Sequence, residues 1–150
     1  MQVNSIIQEV LFFCLMIIAS YIDLKKREIP PFVWISVGLT ALLDFKAANL
    51  IGILASLPFV IVAMKYPNKM GGGDIKLVAC TGLVFGLQNT NYGSIIGFTV
   101  LVIYFYVYKT IKRVRNEEVE DFPLPLAPFL TLGFLAIYFM KLGGFIYEFI

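Results

Sequence analysis

The sequence predicts an all-α membrane protein, a bundle of about six transmembrane helices forming a single domain over residues 1–150. Three observations lead there. Hydrophobic residues make up 59% of the chain and charged ones 15%, whereas soluble domains are usually about 45–50% apolar. Mean hydropathy is +0.85. The apolar residues also gather into blocks separated by short polar connections, the pattern of several membrane helices and not of a soluble domain with one anchor.

The first block, residues 6–22, has no basic residue ahead of it and carries Glu9. It lacks the charged start of a cleaved signal peptide and is expected to persist in the mature protein. It ends at Asp23, next to Lys25, Lys26 and Arg27. Pro30 and Pro31 then introduce a second block, residues 32–43, and residues 44–49 lead to a third, 50–64. The connection 67–73 ends in three glycines and opens a fourth block, 75–87. Residues 88–91 separate this from a fifth, 92–108, and the polar run 109–121 precedes the sixth, 124–140. These connections have loop chemistry.

At about 1.5 Å rise per residue, blocks 32–43 and 75–87 are shorter than a hydrocarbon core of roughly 30 Å. Both begin near an aspartate, so a depression over the two carboxylates is expected there. Pro58 and Pro128 fall within apolar blocks, where neighbouring helices absorb a lost hydrogen bond. Gly82 with Gly86, and Gly93 with Gly97, are spaced for close helix approach.

With six crossings the loops alternate sides. Lys25, Lys26, Arg27, Lys65, Lys69, Lys76, Lys109, Lys112, Arg113 and Arg115 then share one side, and only Lys46 and Lys141 lie on the other. The positive-inside rule puts the rich side in the cytoplasm and both termini outside it. The net charge of +2, spread over short loops, excludes a nucleic-acid surface. The chain has no histidine, and Cys14 and Cys80 lie inside apolar blocks. Neither a metal site, a cofactor nor a disulfide framework is expected.

Acidic residues are scarce, and Asp23 and Asp74 both abut apolar helices on the cytoplasmic edge. An ionisable group at membrane depth points to function. Singly, each has a plainer reading: Asp74 as an N-cap, Asp23 as a solvated interfacial charge, although an acid at a helix C-terminus opposes the dipole. Paired at one depth, two carboxylates suffice for hydrolysing a peptide bond. One takes a proton from water as it attacks, while the other, protonated, supports the oxyanion, and the pair titrates as a unit. Lys76, about 200° around the helix from Asp74, should point away from the pair. Ser20 shares the face of Asp23 and Thr81 that of Asp74, where either makes room for water or substrate or simply packs. Gly71, Gly72 and Gly73 remove every side chain beside Asp74, which lets a substrate backbone approach or a loop flex.

These residues resemble the type IV prepilin peptidases, G-x-G-D aspartyl proteases of the membrane. The match rests on Gly71-Gly72-Gly73-Asp74-Ile75-Lys76-Leu77, on Asp23-Leu24-Lys25-Lys26-Arg27-Glu28-Ile29-Pro30, and on the Pro-rich Pro125-Leu126-Ala127-Pro128-Phe129-Leu130 followed by Gly133. The resemblance covers nearly the whole chain. It implies an aspartic endopeptidase in a prokaryotic inner membrane, with Asp23 and Asp74 catalytic. Its partners would be the bilayer and type IV prepilins or pseudopilins, whose short basic leader it removes at the cytoplasmic face. Larger relatives carry a cytoplasmic segment tied to N-methylation, but only 22 residues precede Asp23 here. The compact form, a peptidase without methyl transfer, is the expectation.

The acidic run Glu117, Glu118, Glu120 and Asp121 is better read as a solvated connection than as a device for steering a basic leader. A small proton- or ion-coupled transporter is the alternative from another class, but both acids lie near one surface and no inverted repeat is visible. A purely structural subunit leaves the paired aspartates unexplained. Presenilin-like proteases fit less well, since Tyr21 and Asp23 are separated by Ile22.

Overall fold

The computed structural model describes residues 3–66, 71–115 and 125–143, which fold into helices and contain no strand. Helix α1 is Val3–Lys26, α2 is Pro31–Thr40, a 3-10 helix Ala47–Ser56 leads directly into α3, Leu57–Lys65, and α4 and α5 are Gly72–Val114 and Ala127–Leu142. Three stretches are long and apolar enough to cross a membrane: Val3–Lys26, Ala47–Lys65 and Gly72–Val114. The exterior is correspondingly greasy, with Ile17, Leu24, Ile61, Met64, Val102 and Ile103 all exposed. For a bundle in lipid, such a surface is the solvated one.

Inside, Phe12, Met16, Val33, Val37, Leu77, Val78 and Leu130 are fully buried. Phe12 meets Phe85 and Phe134 edge-on, with ring centroids 4.7 and 5.9 Å apart. Edge-to-face stacking of this kind adds to the stabilisation from burial.

Residues 75–87 and 92–108 form one helix in outline, interrupted at a place other than the expected 88–91. Gln88 to Asn91 are helical, and the break falls at Gly86, with φ 78° and ψ 174°. Only glycine adopts that conformation without strain. The break leaves carbonyls without helical partners, and Asn49 takes one of them: its Nδ2 donates to Val84 O at 3.0 Å. Gly86 therefore breaks the helix and is not a packing glycine like Gly82.

The contacts on either side of the break show that the chain reverses there. Gly82 lies against Gly52 before it, and Phe98 stacks on Phe59 after it, both along the single run 47–65. Gly93 then packs on Phe134, and Gly97 on Phe129 and Leu130. The second half of α4 thus runs back toward the start of α5.

The third block begins earlier than expected and as a 3-10 helix. With three residues per turn, Asn49, Gly52 and Ala55 fall on one stripe. That stripe faces α4, where Asn49 reaches Val84 and Gly52 touches the Gly82 backbone. A wider α-helix would scatter these residues around its axis.

Pro128 sits in the first turn of α5, where a backbone N–H has no helical acceptor to lose, and Pro58 falls where the 3-10 helix passes into α3.

Candidate active site

Asp23 lies in the last turn of α1. The helix ends because Arg27 adopts a left-handed conformation, φ 56°, while its N–H closes on Asp23 O at 2.8 Å. That turn swings Glu28 and Ile29 back across the helix end. Asp74 enters from the opposite side, in the first turn of α4. The cap residue there is Gly71 and makes no side-chain cap bond, so Asp74 is not the N-cap.

The two aspartates line one cavity of about 290 Å³, together with Arg27, Glu28, Ile29 and Gly71 to Gly73. The two aspartates are held differently. Asp23 is 4% exposed, which excludes a solvated interfacial charge, and its Oδ2 accepts a 2.8 Å hydrogen bond from the Ala127 N–H. That amide belongs to the first turn of α5, whose positively polarised end therefore faces the acid and offsets the unfavourable end of α1. The buried Oδ1 of Asp74 has no hydrogen-bond partner among the described residues. One carboxylate is anchored by a backbone donor, and the other has a buried oxygen without one.

The three glycines are not equivalent. A Cβ on Gly73 would lie 2.8 Å from Ile29 O, so this glycine is required for the loop to close on the turn after α1. A Cβ on Gly72 meets nothing within 4 Å, and one on Gly71 would sit 3.3 Å from Asp74 Oδ2. Of the three, Gly72 is the one with open space around it.

Ser20 and Thr81 are not brought to this cavity. Ser20 Oγ bonds Met16 O and Thr131 Oγ1, both at 2.8 Å, tying α1 to α5. Thr81 is fully buried and its hydroxyl returns to Leu77 O at 2.8 Å. Their part here is helix packing. Lys76 turns away from the pair, as its helical position requires, and its Nζ lies 5.1 Å from the centroid of the Trp34 ring. The run Glu117 to Asp121 lies outside the described residues. Among the described residues no cluster of three His, Cys, Asp or Glu side chains is placed to hold a metal.

Sequence reasoning passed over Arg27, Glu28 and Ile29 as cavity walls and the Ala127 amide as a partner of Asp23. The Pro-rich segment 125–130 signalled the latter, since a helix that starts there presents its free N–H groups to whatever lies at its end.

Comparison with known proteins identifies the family. The sequence model of the type IV leader peptidase family matches residues 10–108, a span that includes both aspartates and the glycine run. The prepilin leader peptidase/N-methyltransferase of Bacillus subtilis (strain 168) is 30% identical over 137 residues, covering 86% of this chain and 54% of its own length. The chain thus spans about half of the curated relative it matches. No solved structure matches it significantly.

Proposed function

The chain belongs to the type IV leader peptidase family, and from that premise we propose that it is a membrane aspartyl endopeptidase. Its substrates are type IV prepilins or related pseudopilins, from which it removes the short basic leader at the cytoplasmic membrane face. The observation that carries this reading is the meeting of Asp23 and Asp74, from opposite helix ends, in one cavity floored by the glycine loop.

Within that cavity one carboxylate, ionised, removes a proton from water as the oxygen adds to the scissile carbonyl. The other, protonated, hydrogen-bonds the oxygen that gains charge. Collapse of the tetrahedral species breaks the C–N bond, and a proton passes to the leaving amine. The Ala127 amide keeps Asp23 in place throughout. Gly71 to Gly73, with no side chains, allow the substrate backbone to lie beside Asp74.

Orientation follows from charge. All six helical runs cross the bilayer in this reading, alternating in direction. Of the described basic residues, Lys46 and Lys141 then lie at the end away from the aspartates, and the others on the aspartate side. A basic leader would meet Glu28 at the cavity wall, while the apolar part of the substrate stays in lipid beside the exposed helices.

The test is to incubate the purified chain with a prepilin-like substrate and determine the new N-terminus by mass spectrometry. A single cut at the end of the basic leader is expected. Cleavage at scattered positions, or none, would sink the proposal. The loop gives a sharper check: Gly73→Ala should lower the cleavage rate by about tenfold or more, the cost of a slight misplacement of reacting groups, whereas Gly72→Ala should leave it close to wild type. Equal effects of the two alanines would remove the role given to the glycine loop.

A further inference from the structure

A second cavity, of about 450 Å³, opens at the other end of the bundle. Glu9 and Asp23 both lie on α1, about 21 Å apart along its axis, and Glu9 lines this second cavity. It is 5% exposed, and its Oε2 has no hydrogen-bond partner among the described residues. Three amides of the wall are engaged elsewhere: Gln8 Nε2 donates to Thr40 O at 3.0 Å, Asn49 Nδ2 to Val84 O at 3.0 Å and Asn89 Nδ2 to Phe85 O at 3.1 Å. Asp44 is paired with Lys46 at 3.5 Å. A buried carboxylate oxygen left without a donor is costly, and in a cavity wall it marks where a ligand donor belongs.

The rest of the wall narrows the chemistry. The volume lies within the roughly 300–1,000 Å³ of small-ligand sites and far exceeds that of a bare ion. Lys141 and the Asp44–Lys46 pair share the wall with Glu9, so the wall presents both signs and the matching ligand carries both. Exposed Leu42, Leu43 and Phe45 adjoin the connection that lines the cavity and offer acyl chains an apolar surface.

We infer that this cavity binds a phosphoethanolamine group, its primary ammonium donating to the Glu9 carboxylate and its phosphate meeting the lysines of the same wall. The chemistry is common to the headgroup of an aminophospholipid and to free phosphoethanolamine, and the apolar border favours the lipid. The site is independent of the peptidase reading.

Native mass spectrometry of the full chain with equal amounts of phosphatidylethanolamine and phosphatidylcholine of matched acyl chains tests this. Wild type should retain the ethanolamine lipid about tenfold better, because a trimethylated ammonium cannot donate to a carboxylate. Glu9→Gln should bring the two lipids near parity, and Glu9→Asp should keep a preference, which gives a reading even if the glutamine variant fails to fold. Lys46→Gln combined with Lys141→Gln should weaken both lipids. Displacement by added O-phosphoethanolamine would support the site and identify a soluble ligand; retention of the lipid in its presence would support the site as a lipid one. Equal retention of both lipids by wild type, or a preference unchanged in Glu9→Gln, would overturn the inference. So would calcium alone raising the thermal midpoint of wild type but not of Glu9→Gln, since that pattern belongs to a cation site.

Discussion

Asparagine in place of either Asp23 or Asp74 is expected to abolish leader removal, with rates falling by roughly two to four orders of magnitude, the usual contribution of a positioned acid or base. The change is nearly isosteric. An asparagine at 23 still offers an oxygen to the Ala127 N–H, and one at 74 replaces a carboxylate whose Oδ1 holds no bond. Both variants should therefore accumulate in the membrane and melt like wild type. Because the two groups act as one unit, the double variant should be scarcely worse than either single one. Co-expression with a prepilin-like substrate, followed by the mobility shift of the processed form, reads all three. Full processing by Asp23→Asn or by Asp74→Asn would exclude the dyad.

The largest effect on stability is expected where the 3-10 helix crosses α4. A Cβ added to Gly82 would fall on the Gly52 carbonyl, and one added to Gly52 on that of Gly82, so neither helix can yield by a side-chain rotation. In an ordinary helix interior, Gly→Ala gains roughly 1 kcal/mol of helix propensity. Here Gly82→Ala should instead lose about 1–3 kcal/mol from overpacking, and Gly82→Leu more, by forcing the helices apart and pulling Asn49 from Val84. The sign of the alanine effect decides whether propensity or the backbone contact prevails. Thermal unfolding in detergent measures it, with Gly72→Ala as a reference whose Cβ meets nothing. A stabilised Gly82→Ala would mean the crossing is looser than described.

The helical runs were legible in the sequence because membrane helices are written in hydropathy, and the aspartate pair because acids beside apolar blocks are few. What stayed hidden depends on contacts between distant residues. The break in α4 was placed at 88–91 on polarity, but Gln88 and Asn89 are polar because they line a cavity, and helices carry such residues readily. The break needs the glycine at 86 and the Asn49 side chain, which bonds Val84 from 35 residues away. The 3-10 helix is likewise dictated by the stripe Asn49, Gly52 and Ala55 meeting α4, which no local propensity reveals. Ser20 and Thr81 were placed on the correct helix faces, yet a face is shared by packing and by chemistry, and only the hydrogen bonds to Thr131 and to Leu77 separate the two. The Ala127 donor is a backbone group, invisible in side-chain chemistry.

That donor bears on when the protein becomes active during its synthesis. Asp23 and Asp74 are translated well before residue 127, so a nascent chain already contains both acids while the group that fixes Asp23 has yet to be made. A ribosome-bound intermediate ending before α5 would hold the reagents for hydrolysis but not their alignment. If the pair acts as proposed, competence would arrive only as the last helix docks, so the order of synthesis itself would hold back hydrolysis until then.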